Sequence, residues 1–442
     1  MKSGNALVND IGTDQTPSEA TGRSQFDVRP ELPVEGRSWR DIHADLISRK
    51  SLDYDWRAGR VPLYIYYDND ELLSVARDAY SLFFTENSLG ARAFPSLRRM
   101  ENEVVQMCLS LFHAPDNADG SFTSGGTESL FLALKTARDV FIETHPSGGK
   151  VNIVIPRTAH PAIDKAAHYL GVDVHRIDVG SELRVNTEAL ENAIDSRTIM
   201  IVGSAPCYPY GVYDCISQLG EVALSKKVWL HVDACLGGFL APFVRDEGYP
   251  IPDFDFSIPG VTSLSADLHK FGFSAKGASV VLYRSSTMKR HQRFEFNNWP
   301  RGSYATETLL GSRPGGAVAS AWAVSQYLGI VGYRKLARKT MEAKTRLASG
   351  IERIAALEVI RPSELNILLY KSADRSVDIN AVAELLGNRG WFVGRSREPE
   401  AIHLALNTVH YPIIDEYLDD LNSVVMEVRR TGMTGAQDDT TY

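Results

Sequence analysis

Val228-Trp-Leu-His-Val-Asp-Ala-Cys235 is a short apolar run that ends on an acid, the pattern of a buried strand. It has four siblings: β-branched runs at 151–155, 172–177, 198–202 and 279–283, separated by helix-compatible stretches such as 161–170 and 216–225. This alternation predicts an α/β domain built on a largely parallel sheet. Ligands of such sheets sit at the carboxyl ends of the strands, so the residues just after each run are where a site is sought.

Outward toward the N-terminus, apolar residues recur at three and four positions over 72–84 and 100–112, which predicts two amphipathic helices. Toward the C-terminus, a long helix-compatible region, 316–356, leads into a strand-like 367–370, a helical 379–390 and a final strand near 402–406. That portion reads as a smaller α+β domain. The expected organisation is an N-terminal arm over 1–60, a helical segment with the large domain over 61–325, the small domain over 326–430 and a flexible tail over 431–442. The first 35 or so residues are polar and unpatterned and the tail is rich in Gly, Asp and Thr, so both ends are expected to be poorly ordered. No internal repeat is visible.

At 442 residues and 44% apolar composition the chain can bury one large core and a second, smaller one. The net charge of −8 argues against a nucleic-acid surface, which concentrates Lys and Arg against phosphates, and favours a small-molecule substrate. Cys108, Cys207, Cys215 and Cys235 form no CxxC pair and no zinc-knuckle spacing. Neither a disulfide framework nor a metal site is expected, and the default setting is the reducing cytoplasm. The start of the chain lacks the basic and apolar regions of a signal peptide, and no stretch has the apolar length of a membrane span.

Three motifs carry chemistry. Gly120-Ser-Phe-Thr-Ser-Gly-Gly-Thr-Glu-Ser129 opens a helix, and glycines before a helix expose N–H groups that, with the helix dipole, suit a phosphate dianion. Alone, the turn is equally a plain loop. Asp233 ends the apolar run quoted first, where a buried carboxylate needs a cationic or hydrogen-bonding partner. A protonated pyridine nitrogen would be such a partner, and capping of the next helix is the alternative. In Ser263-Leu-Ser-Ala-Asp-Leu-His-Lys-Phe-Gly-Phe273, Lys270 reads either as a snorkelling surface lysine or as a half-buried amine of lowered pKa that forms an imine with an aldehyde. The cradle, the acid and a lysine 37 residues beyond the acid, in that order on one sheet, point to pyridoxal 5'-phosphate (PLP). His160, after the run at 151–155, adds a ring able to lie on a flat cofactor or to serve the core.

On these stretches the sequence resembles the group II decarboxylase superfamily of fold-type I PLP enzymes, and within it the sphingosine-1-phosphate lyases. The likeness rests on Thr123-Ser-Gly-Gly-Thr-Glu-Ser129, His160-Pro-Ala-Ile-Asp-Lys-Ala-Ala167, Gly203-Ser-Ala-Pro206, His231-Val-Asp-Ala-Cys-Leu-Gly-Gly-Phe239, Ser265-Ala-Asp-Leu-His-Lys270 and Gly311-Ser-Arg-Pro-Gly-Gly316. It spans about residues 59–328. The resemblance implies the PLP-dependent transferase fold, with a mostly parallel seven-stranded sheet in the large domain. It implies that Lys270 is the Schiff-base lysine, that Asp233 pairs with the pyridine nitrogen and that His160 stacks on the ring. Gly125, Gly126, Thr127 and His269 would hold the phosphate, and Ser204 would join the cofactor site. Gly311 and Ser312 would reach the phosphate of a neighbouring subunit, implying a homodimer with shared active sites. Lys276 and Tyr66 match a second lysine and a tyrosine on the substrate side.

Departures from the lyases cluster on that side. Pro62-Leu-Tyr-Ile-Tyr66 replaces Ser-Gly-X-X-Tyr, Gly90-Ala-Arg-Ala-Phe-Pro95 lacks the lyase histidine, and Tyr210 stands where histidine is frequent. Arg92 is either a replacement anion-binding group or an exposed arginine. The expected activity is a PLP-dependent lyase that cleaves Cα–Cβ of a β-hydroxy amine in retro-aldol fashion to an aldehyde and an amine. An amino-acid decarboxylase, or a related PLP enzyme of specialised metabolism, is the alternative.

Overall fold

The computed structural model of the chain describes residues 29–90, 92–145 and 149–437. The chain divides after Asp53 into two units. The described part of the first holds α1 (Trp39–Lys50), capped by Ser38, whose hydroxyl accepts from the Asp41 N–H at 3.2 Å. The disorder expected of residues 1–28 falls outside the described residues. Within the expected arm, 39–50 is a helix.

The second unit opens with α2 (Asp70–Leu82), capped by Asn69, and α3 (Pro95–Leu111), which starts on a proline at its first turn. Then come β1 (Asp119–Thr123), α4 (Gly126–Thr144), β2 (Asn152–Pro156), α5 (Ala162–Leu170), β3 (Asp173–Ile177), α6 (Thr187–Asn192) and β4 (Thr198–Ser204). They are followed by α7 (Ile216–Lys226), β5 (Trp229–Asp233), α8 (Ala241–Asp246), β6 (Ser263–Ala266) and β7 (Ser279–Tyr283). The seven strands form one sheet in the order β1-β7-β6-β5-β4-β2-β3. Strands β3, β2, β4, β5 and β6 pair in parallel, and β7 is antiparallel to both of its neighbours. β1 therefore points the same way as the parallel set, and six carboxyl ends share one edge of the sheet.

The sheet is covered on both faces. Ile153, Ile155 and Val202 pack with Leu130, Leu134 and Ile163 of α4 and α5 in one core. Leu230, Val232 and Leu264 pack in another with Val104, Phe112 and Leu219 from the α3 and α7 side. This is why β2, β4, β5 and β7 are buried along their whole length and read as continuous apolar runs.

Beyond the sheet lie α9 (Ser286–Lys289), a hairpin of β8 (Phe294–Phe296) and β9 (Tyr304–Thr306), and α10 (Gly315–Glu352). The predicted long helix is interrupted at Gly329, whose φ of 52° and ψ of −175° are not helical. The C-terminal sheet, order β10-β11-β13-β12, is wholly antiparallel: β10 (Leu357–Val359), β11 (Ile367–Ser372), β12 (Gly394–Arg397) and β13 (Glu400–Ala405). On it pack α11 (Ile379–Asn388) and α12 (Ile414–Thr431). The start of the expected tail is tied down, since the Ala436 N–H donates to Glu384 at 2.7 Å and its carbonyl accepts from Arg395 at 2.7 Å. Residues 438–442 lie outside the described residues.

Candidate active site

The turn between β1 and α4 builds the first part of the site. Gly125 caps α4, so the N–H groups of Gly126, Thr127 and Glu128 have no partner within the helix and carry its positive end. A Cβ on Gly126 would lie 2.8 Å from Cys235 Sγ and 3.0 Å from Asp267 Oδ2, so only glycine lets this turn press against the loops after β5 and β6. Gly125 faces His269, with Cε1 3.5 Å from where its Cβ would stand. Thr127 is exposed in the first turn of α4.

Lys270 follows β6. Its ammonium pairs with the buried Asp267 at 2.9 Å, with side-chain exposures of 26% and 2%. Burial draws the lysine down, but the negative charges around it, Asp267 foremost, outweigh that and raise it above its ordinary value. The lowered pKa expected from sequence is thus reversed. A cationic pocket was anticipated, and the side chain at Lys270's elbow is a carboxylate.

The loop after Lys270 folds back on itself. His269 Nδ1 accepts from the Ala278 N–H at 3.3 Å, and burial lowers this imidazole to about 4, so it is neutral near pH 7. Its 3.5 Å approach to Asp267 is therefore not an ion pair. Lys276 reaches back to donate to the carbonyls of His269 and Tyr64 at 3.3 and 3.4 Å. Its Nζ stands 4.8 Å over the ring of Tyr66, which meets Phe271 edge-on at 5.0 Å. Lys276 is exposed by surface area, yet protein walls surround its amine. Loss of hydration, helped by the charge of Lys270, brings it down to about 8.

His160, Ser204 and Asp233 lie at the carboxyl ends of β2, β4 and β5. His160 Nδ1 accepts from the Ala162 N–H at 3.1 Å, which leaves Nε2 to carry the proton of the neutral ring, and burial lowers its pKa. Asp233 is 8% exposed and its Oδ1 accepts from the Cys235 N–H at 3.0 Å, closing a local turn; it does not cap the next helix, α8, which begins at Ala241 after Leu240 with no side-chain cap. Ser204 is buried, and its N–H donates to Asp214 at 2.8 Å. Burial lifts the Asp214 carboxyl to about 6.

Gly311 and Ser312 are held by a different set of contacts. Asn87 donates to Ser312 Oγ at 3.0 Å and accepts from the Arg313 N–H at 3.1 Å. Glu128, buried in α4, accepts from the N–H groups of Leu309 and Leu310 at 2.8 and 3.3 Å, and from Ser124 at 2.6 Å. One carboxylate therefore ties the glycine turn to the loop that presents Gly311. Arg92 is exposed. Tyr210 donates to the Glu398 carbonyl at 2.5 Å across a cleft of about 1200 Å³ that is also lined by His160, Arg157 and Phe392.

Two residues escaped the sequence reading. Asp267 lies three positions before Lys270 inside a quoted motif, and Glu128 lies three positions after the capping Gly125. Each has a legible signal, an acid one helical turn from a functional lysine or at the third position of a helix.

The family described as the pyridoxal-dependent decarboxylase conserved domain matches residues 24–371. The sphingosine-1-phosphate lyase of Oryza sativa subsp. japonica is 38% identical over 424 residues, covering 94% of this chain and 78% of that protein. The solved sphingosine-1-phosphate lyase of Burkholderia pseudomallei superposes with a TM-score of 0.86 at 34% identity, over 92% of this chain and 94% of that one. Glutamate decarboxylase of Lactobacillus brevis, at 20% identity and a TM-score of 0.80 over 93% of this chain and 98% of that one, shares the fold. The chain belongs to the pyridoxal-dependent decarboxylase family, in the group of the sphingosine-1-phosphate lyases, and is a PLP-dependent lyase.

Proposed function

We propose that this chain cleaves the Cα–Cβ bond of a phosphorylated long-chain β-hydroxy amine, releasing a long-chain aldehyde and a phosphorylated amine. The observation that carries the reading is Lys276, an amine lowered to about 8 and poised over Tyr66 within reach of Lys270's field. Decarboxylation needs no base at Cβ. Retro-aldol cleavage needs one to take the hydroxyl proton.

The residues fit PLP. The Gly125-Gly126 turn cannot accept a Cβ at 126, α4 directs its positive end there, and Lys270, Asp233 and His160 stand at neighbouring strand ends. When bound, PLP supplies a conjugated ring that accepts the electron pair of whichever Cα bond lies perpendicular to it. In this reading Lys270 holds the cofactor's aldehyde carbon, Asp233 holds the pyridine nitrogen protonated and His160 covers the ring. Gly125, Gly126, Thr127 and His269 receive the phosphate, with Ser204 beside the site. Lys276 takes the proton from the substrate's β-hydroxyl, and Tyr66 keeps that amine dry and oriented.

The reading extends to a homodimer in which Gly311 and Ser312 serve the partner's cofactor, and to a cytoplasmic setting. The four cysteines are free, and no helix among the described residues is long and apolar enough to cross a membrane. The stretch Gly90-Ala-Arg-Ala-Phe-Pro95, which lacks the lyase histidine, favours the second reading, an amino-acid decarboxylase.

Mass-spectrometric product analysis with a phosphorylated sphingoid base distinguishes the two. A long-chain aldehyde with phosphoethanolamine and no carbon dioxide is expected. Carbon dioxide release from amino acids, with no aldehyde from the sphingoid base, overturns the reading.

A further inference from the structure

Asp267 belongs to no motif role assigned so far, yet it occupies the centre of the site. Its carboxylate is 2% exposed, lies 2.9 Å from Lys270 Nζ and would touch any side chain grown from Gly126. Its Oδ1 has no hydrogen-bond partner among the described residues, so the Lys270 ammonium is the main compensation for a charge buried in this position. We propose that Asp267 is a positioning residue that captures the ammonium of Lys270 whenever the lysine is not bonded to the cofactor, and so sets the rate at which Lys270 returns to it. The inference rests on the assignment of Lys270 as the cofactor lysine.

The chemistry makes the step rate-setting. To rejoin the cofactor, the Lys270 ammonium gives a proton to solvent. The freed nitrogen pair then forms a C=N bond to the aldehyde carbon, and the carbonyl oxygen leaves with two protons as water. Only the neutral amine is a nucleophile. The groups facing Lys270 are Asp267 on the β6 side, Tyr66 from the segment before α2, Cys235 after β5, His160 after β2, and His269 and Lys276 from its own loop. Burial keeps the Cys235 thiol protonated and the two imidazoles neutral at neutral pH. Lys276 opposes protonation of Lys270, which leaves Asp267 as the principal charge that favours it. Burial is the largest influence on the Asp267 carboxyl and lifts it, but Lys270, together with His269 and Ser279, outweighs burial and holds it below its ordinary value, so both partners stay charged.

The test uses the full chain stripped of cofactor with hydroxylamine and recharged with PLP in a stopped-flow spectrometer. In the wild type, the rate of covalent capture, read from the absorbance of the linked cofactor, is expected to climb with pH without levelling up to about pH 10. Asp267→Asn is expected to capture PLP at least about tenfold faster near neutral pH and to level off earlier. Equal rates and equal pH profiles for the two proteins overturn the proposal.

Because D267N risks misfolding, the wild-type chain, likewise stripped of cofactor, is also labelled with formaldehyde and cyanoborohydride, and each lysine is followed by peptide mass spectrometry. The profile of Lys276 is expected to reach half its maximum near pH 8, with that of Lys270 still rising about two units higher. A Lys270 profile that levels at or below that of Lys276 overturns the proposal. If borohydride fixes PLP on a different lysine, the cofactor-lysine assignment itself fails, an outcome that neither pH profile imitates.

Discussion

Lys270 and Lys276 lie six residues apart and carry opposite proton biases, because one meets a buried carboxylate and the other loses its hydration and meets a like charge. A lysine near 8 is half neutral at mildly alkaline pH, so a reaction that uses it as a base has kcat/KM rising with pH up to about 8 and level beyond. The Lys276→Met variant should lose that rising limb and fall by about 10²- to 10⁴-fold in kcat, while still binding PLP covalently. An unchanged pH profile in this variant excludes Lys276 as the base. Lys270→Ala should lose both the absorbance of covalently bound PLP and, by about a thousandfold or more, turnover. Full activity in that variant rules out Lys270 as the cofactor lysine. Lys270 was legible because chemistry restricts which residues form imines, and Lys276 only through the family resemblance. Their charge states were not, because Asp267 and Tyr66 act on them through space, and only Asp267 is near in sequence.

At the scale of elements, strands written as β-branched runs were legible, the half-exposed β3 included, and those without such a run were not. Thr198–Ser204 and Ser279–Tyr283 announce themselves as apolar runs, whereas β1, Asp-Gly-Ser-Phe-Thr, and β6, Ser-Leu-Ser-Ala, hold their places through pairing with β7. α12 was overlooked although Tyr417, Leu421, Val424 and Val428 mark one buried face inside the expected small domain. The tie between elements at Glu128 is invisible in sequence, since its partners Leu309 and Leu310 are 181 and 182 residues away. Glu128→Ala leaves three backbone donors without their acceptor, at a cost of about 2–4 kcal/mol if they stay dry. Both a lower melting temperature and weaker PLP affinity are expected, because the same carboxylate braces the glycine turn. A variant that melts lower but binds PLP as tightly as wild type would limit Glu128 to a structural tie.

For the whole molecule, the question is what covers the aromatic hairpin. Phe294, Phe296 and Trp299 are each about half exposed, and Leu309 and Leu310 continue the apolar surface to Gly311. Aromatic and aliphatic side chains clustered this closely on one exposed stretch argue for a partner. A two-fold partner places the same loop at both sites. If Ser312 serves the neighbour's cofactor phosphate, Ser312→Asp turns a hydroxyl into a repelling charge at the partner's site and leaves its own Lys270 intact. Lys270→Ala does the reverse. Each variant alone is expected to be inactive. Mixed by co-expression, half of the dimers carry one copy of each variant, and in these one of the two sites receives an intact Lys270 and an intact Ser312. Activity should return to about a quarter of the wild-type value. A mixture that stays inactive while the two chains co-purify would mean that Ser312 acts within its own subunit, and the shared-site architecture would have to be abandoned.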